Sequence, residues 1–192
     1  MVALKKPEIP VPPAMQHLPL TSNGYHKPWF VRKNDLREPD PKKFQESMNR
    51  GRCWICGGVN KKEFVFVTEI KSAIQSISLE PPCHPDCALY SIQVCPFLLL
   101  PNAKRRTAGL PDYLNEAKAP EIAMHNPGAY VLTHVRKFAF KPVNKNSPTK
   151  WAIWADKSVS CQSLWAEGKK LEECPSGMLD KVLLQRYLQE IS

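Results

Sequence analysis

Apolar residues fall along the chain in short stretches, each with a period that points to one kind of element. Glu63-Phe64-Val65-Phe66-Val67-Thr68-Glu69-Ile70 is rich in β-branched and aromatic residues and predicts a strand; Ser72 to Ser78 predicts a second, weaker one. Pro85 suits a first helical position, and Ala88-Leu89-Tyr90-Ser91-Ile92-Gln93-Val94 continues from it as a helix that breaks at Pro96 and again at Pro101. After the turn signal Asn126-Pro127-Gly128, the segments Ala129 to Val135, Lys137 to Val143 and Lys150 to Ala155 predict three strands of one small antiparallel sheet. Trp151 and Trp154 are three apart, on opposite faces of a regular strand, so one of them is expected to be partly exposed. Trp165-Ala166-Glu167-Gly168-Lys169 reads as a turn with an aromatic anchor. From Ser176 a closing amphipathic helix places Leu179, Val182, Leu183, Arg186, Tyr187 and Ile191 in one stripe, widened by Leu184 and Leu188.

Upstream the pattern is weaker. Residues 1 to about 16 are rich in proline (Pro7, Pro10, Pro12, Pro13) and predict an extended tail that wraps or stays mobile. Lys27 to Arg32 reads as a short strand carrying Trp29 and Phe30, aromatics beside a proline that suit packing better than stacking on bases. Asp40 as a cap and Pro41 at the first helical position predict a short helix over Lys42 to Asn49. Glu116 to Met124 reads as a loose helix interrupted by Pro120.

Between two of these elements lie the residues that carry chemistry. Arg52-Cys53-Trp54-Ile55-Cys56-Gly57 is followed, some thirty positions on, by Pro82-Cys83-His84-Pro85-Asp86-Cys87. C-x-x-C is the shortest spacing that lets two thiolates of one tight turn reach the same ion, and zinc takes four such ligands in a tetrahedron. Gly57 and Gly58 permit the close turn a knuckle needs. His84 and Cys87, three apart, share a face of the first helical turn, so Cys53, Cys56, His84 and Cys87 form a set for one structural Zn2+. Cys83 and Cys87, at i and i+4, offer an alternative, but the imidazole at the helix cap is preferred because its ring is free to turn. The order knuckle, hairpin, helix is that of a treble clef. A redox role for CWIC fits poorly, because in thioredoxin-like folds that motif opens a helix, whereas here it precedes strand-like sequence.

The motifs Arg-Cys-Trp-Ile-Cys-Gly, Glu80-Pro81-Pro82 running into His84 and Cys87-Ala88, and Cys95-Pro96-Phe97-Leu98 resemble a family of uncharacterised small proteins of bacteria, notably actinobacteria, and of bacteriophages. The similarity extends to His17-Leu18-Pro19 and Pro28-Trp29-Phe30-Val31, and more faintly to Asn126-Pro127-Gly128 and Trp165-Ala166-Glu167-Gly168. It implies no established activity. In that family serine often stands where Cys83 does, which favours His84 as the ligand.

Composition narrows the picture. A chain of 192 residues, 43% hydrophobic, can bury a sizeable core. No apolar run approaches the roughly 20 residues that span a bilayer, so no membrane partner is expected. Seven cysteines without a secretory segment point to a reducing cytoplasm, a host's cytoplasm if the protein is phage-encoded. The expected organisation is α+β: an N-terminal arm over 1–49, a treble-clef-like zinc module over 50–100, and an antiparallel sheet with closing helix over 101–192.

The net charge of +9 is unevenly spread, with 9 basic and 3 acidic residues in 101–150 against 4 and 4 in 51–100. Lys104, Arg105, Arg106, Arg136 and Lys137 are the candidate contacts to nucleic acid, since each phosphate neutralised releases counterions. A host protein met by the proline-rich arm is the alternative partner.

An enzyme is not expected. An HNH-type nuclease needs a histidine on its hairpin to activate water, and residues 60–80 contain none. A zinc deaminase needs H-x-E before P-C-x-x-C, which is absent, as are P-loop, Rossmann and G-x-S-x-G signatures. The expected function is a non-catalytic, zinc-stabilised protein of phage or prophage type that contacts nucleic acid through a basic surface. The alternatives are a phage-encoded protein that binds and modulates a host protein and, behind it, a cryptic metal-dependent nuclease.

Overall fold

The computed structural model describes residues 7–32, 35–60, 62–101, 103–104, 126–142 and 150–191. Its centre is a four-stranded antiparallel sheet made of β3 (Phe64–Glu69), β5 (Tyr130–Val135), β8 (Val159–Ala166) and β9 (Lys169–Cys174), in that order. A second sheet, in the order β4 (Ile77–Ser78), β7 (Lys150–Ile153), β6 (Ala139–Pro142), is also antiparallel. A two-stranded ribbon of β1 (Val31–Arg32) and β2 (Asp35–Pro39) precedes helix α1 (Pro41–Arg50). The remaining helices are α2 (Ile70–Gln75), α3 (Pro85–Val94), α4 (Pro96–Leu99) and α5 (Lys181–Glu190).

Register assigns the faces of the central sheet. Val65 lies opposite His134, Leu132 opposite Ser163, and Tyr130 opposite Trp165, so these residues share one face. Val65, Leu132, Tyr130 and Trp165 pack there with Ala88 and Ile92 of α3 and with the cysteine knuckle. On the reverse face Val131 and Leu164 meet Ile70 and Ala73 of α2 and Leu184 of α5, while Phe66, Val135 and Val159 meet Ala152 and Trp154 beside the second sheet. Both faces of β5 are covered, which explains its nearly continuous run of buried residues. Gln162, fully buried on the reverse face, keeps its polar groups satisfied: its Nε2 donates to Thr133 Oγ1 at 3.0 Å and its Oε1 accepts from the Leu179 N–H at 2.9 Å.

Several expectations need correction. Ser72 to Ser78 is not a strand: Ile70 and Ala73 recur at helical spacing and bury against α5, so α2 forms, ends at Ser76 with φ 58°, and leaves only Ile77–Ser78 extended. The predicted sheet of three consecutive strands is divided, because β5 pairs with β3 and β8 while β6 and β7 join β4. The β8–β9 hairpin was marked in sequence only by its turn, where Glu167 and Gly168 take φ 49° and 74°. In the closing helix the buried stripe is rotated from the one expected: Leu184 is fully buried, whereas Val182 is 63% and Ile191 39% exposed.

Other expectations hold. α1 begins where Asp40 accepts from the Lys42 and Lys43 N–H groups at 2.8 and 3.4 Å. Over its described residues the proline-rich arm wraps: Met15 and Leu18 are buried in the core that holds the knuckle, and Val11 packs against it partly buried. Trp154 is buried; the Trp151 side chain and the helix expected over 116–124 lie outside the described residues.

Candidate metal centre

Residues 52–59 form a closed turn. The Arg52–Val59 bridge shuts its base, the Cys53 N–H donates to Gly58 O at 2.7 Å, and the Gly57 N–H donates to Cys53 O at 2.9 Å. Gly57 has φ 76°, and a Cβ there would sit 2.5 Å from the Trp29 ring, so both backbone and neighbour require glycine. Trp29 is held over the turn by its own N–H, which donates to Ile55 O at 2.6 Å. Phe30 stacks on Trp54 with ring centroids 4.5 Å apart.

The second half-site arrives on α3. His84 is its N-cap residue, Pro85 opens the first turn, and Cys87 follows one turn on. Ahead of them Cys83 exchanges two backbone bonds with Val65 (2.8 and 3.0 Å), and its carbonyl also accepts from Asn60 Nδ2 at 2.9 Å. This bridge fixes the helix start to the outer edge of β3. The knuckle is therefore joined to the helix through one strand of the central sheet; the local hairpin expected from the spacer does not form.

Cys53, Cys56, His84 and Cys87 converge, with all four ligand atoms within 4.8 Å of one another. Cys56 Sγ lies 3.2 Å and Cys87 Sγ 3.9 Å from His84 Nδ1. A tetrahedral ion with metal–sulfur bonds of about 2.3 Å needs ligand atoms about 3.8 Å apart, so the cluster is close to the required size. The cysteines are buried and His84 is partly exposed. His84 Nε2 lies 3.2 Å from Val59 O, a carbonyl that accepts a hydrogen bond from Nε2 and so aims Nδ1 at the thiols, where it can become a ligand once its own proton is displaced. The Gly58 and His84 N–H groups donate to Cys56 and Cys53 Sγ at 3.4 and 3.3 Å, the kind of support thiolates need when taken out of water. Cys83 is buried beside Cys53 and is not one of the converging four.

The electrostatics match a site made for a cation. Hydrogen bonds from Cys56, Cys83 and Cys87 hold the Cys53 thiol far below its ordinary range, against the penalty of burial. Hydrogen bonding to Cys53 and then to Cys56, together with burial, pushes Cys87 far up. Hydrogen bonds to Cys53 and Cys56 raise His84 to about 10. The cluster thus shares its protons among close-set ligand atoms, and a divalent ion bound there would displace them. Three cysteines and one histidine make a four-ligand set, so the site can hold a metal ion.

The candidate basic contacts are not gathered in one place. Lys104 is exposed near the start of β5, where the Asn126 N–H donates to Ala103 O at 2.8 Å. Arg136 and Lys137 are exposed just past the end of β5, about 20 Å along the strand at ~3.3 Å per residue. Arg105 and Arg106 lie outside the described residues. Two further basic residues belong to the Arg136 end of the sheet, and only strand pairing reveals them. The Arg136 N–H donates to Ser158 O at 2.9 Å, which brings exposed Lys157 alongside. Exposed Lys62, just before β3, lies at the same end of the sheet, since Phe64 pairs with Val135.

Among the described residues no helix is long and apolar enough to cross a membrane. Comparison with protein-family models, with curated proteins and with solved structures returns no match.

Proposed function

We propose that this chain is a non-catalytic nucleic-acid-binding protein whose fold is secured by one structural zinc ion on Cys53, Cys56, His84 and Cys87. The donor set supports zinc, since three thiolates and an imidazole brought within 4.8 Å of one another suit that ion best. The arrangement is treble-clef-like, with knuckle and helix in their usual order and β3 standing where the hairpin would be. The observation that carries the binding role is that exposed Lys62, Arg136, Lys137 and Lys157 all lie at one end of the central sheet, with exposed Lys141 further along the chain on β6. The acidic groups nearby are already engaged: Glu63 contacts His134 Nδ1 at 2.8 Å, and Asp156 accepts from Ser76 Oγ and Lys181 Nζ. A phosphate backbone crossing this end would meet an excess of positive charge, with Lys62, Arg136, Lys137, Lys157 and Lys141 against Glu63 and Asp156.

The test is affinity of the zinc-loaded protein for duplex DNA, single-stranded DNA and RNA over a salt series. Binding should weaken steeply with salt. The Arg136→Ala, Lys137→Ala, Lys141→Ala variant should show a slope against log salt shallower by about 2–3 for duplex DNA. A Lys104→Ala, Arg105→Ala, Arg106→Ala variant separates the two basic regions. Absence of binding at about 50 mM salt, or a slope that the first variant leaves unchanged, sinks the proposal.

A further inference from the structure

β9 is an outer strand of the central sheet, so about half of its backbone N–H and C=O groups are directed away from β8. Residues Lys169 to Glu173 are all exposed, Leu171 at 43%. A proline, a bulge or charge of a single sign can keep such an edge from accepting another strand; this edge carries a one-residue bulge at Leu171, which the pairing has to accommodate. This edge has no proline, and its sign changes midway: Lys169 and Lys170 are basic, Glu172 and Glu173 acidic. A second copy running antiparallel about a two-fold axis therefore sets the basic half of each strand against the acidic half of the other. A lysine-only edge would repel its copy.

The bulge refines the match. Glu173 lies opposite Ser163, Glu172 opposite Leu164 and Lys170 opposite Trp165, so Leu171 is the extra residue. In a regular strand residues three apart point to opposite faces; the bulge instead puts Lys170 and Glu173 on one face, where their side chains meet at 2.7 Å.

We infer that β9 is a homodimer interface, at which two copies join edge to edge into one eight-stranded sheet. In the register that keeps like-facing residues opposite, Lys170 of each copy lies across from Glu173 of the other, and Lys169 across from Cys174. Four alternating charges then cluster on one face around the two-fold axis, with the two Leu171 side chains beside it. One short strand pair buries less than the ~1,200 Å² of a standard interface, so the association is weak and falls with salt.

Sedimentation velocity on the full-length, metal-loaded chain from about 10 µM to about 1 mM is the experiment, at low and high salt. A monomer–dimer equilibrium is expected, stronger at low salt. Lys169→Glu with Lys170→Glu, and separately Glu172→Lys with Glu173→Lys, should each weaken it at least tenfold, and an equimolar mixture of the two should restore it. Melting and metal content of both variants check that they remain folded. As a readout that needs neither, Lys169→Cys under mild oxidation should give a disulfide-linked dimer joining position 169 to Cys174 of the other copy. A monomer at every concentration overturns the inference, as does a dimer that both charge reversals leave intact. Failure of the mixture to re-associate, or a crosslink that is absent or joins other positions, also overturns it.

Discussion

Gly57 is where the knuckle and the N-terminal segment meet, and it shows how one residue can set the approach of two parts. Its φ of 76° and the Trp29 ring 2.5 Å from a would-be Cβ leave room for hydrogen alone. Gly57→Ala should destabilise by about 1–2 kcal/mol through the backbone, and further through displacement of Trp29, measured by urea unfolding. Tyr130 behaves in the opposite way. Its hydroxyl is buried without a partner among the described residues, so Tyr130→Phe should be neutral or stabilising by up to about 1 kcal/mol. Burial, followed by the nearby Glu80, raises the phenol well above its ordinary range. The folded state thus keeps a proton that the unfolded chain releases near pH ~10, and stability must fall as pH rises beyond that point. Thermal melts from pH 8 to 11 should show this fall in the wild type and a smaller one in Tyr130→Phe. Of the site residues, Cys53, Cys56 and Cys87 were legible in sequence from spacing. Spacing left His84 and Cys83 both open, and His84 was favoured by its freely turning ring and by the serine that often stands for Cys83 in the resembling family. Trp29, Asn60 and the Val59 carbonyl were not legible, because their part depends on where a turn places them, and no residue type announces that.

Elements whose signals are local were legible. Asp40-Pro41 fixes the start of α1 and His84-Pro85 that of α3, since a cap and a first-turn proline act within a few residues. Asp40→Ala should accordingly cost about 1 kcal/mol, seen as a lower melting temperature without change in metal content. Elements whose identity depends on distant partners were harder to read. β8 carries Gln162 and Ser163 at buried positions, so it lacks a strand's apolar alternation; Thr133 and the Leu179 N–H, both remote in sequence, satisfy that glutamine. α2 and the face of α5 were misjudged together, since each is defined by packing on the other. The partner of β3 lies some sixty residues beyond it, across a segment that pattern alone cannot bridge.

At the scale of the molecule, the central sheet ties the candidate centre to the rest. The Val65–Cys83 bridge and the Asn60 bond connect the helix start and the knuckle to β3, and through β3 to β5 and β8. Removing the metal should therefore loosen residues 52–60 and 83–94 first, and leave the β5–β8 centre protected until global unfolding. Hydrogen exchange with and without chelator measures this directly. The basic end of the sheet lies away from Lys104, so a nucleic-acid footprint, where present, should follow Arg136 and Lys137.

The most direct test of the account is the metal's own coordination. X-ray absorption on the purified chain should find one zinc per chain, with three sulfurs near ~2.3 Å and one nitrogen near ~2.0–2.1 Å. Cys56→Ser should lose that zinc and melt at lower temperature. A chain that folds without bound metal, or a shell of four sulfurs with Cys83 in place of His84, would contradict the centre described.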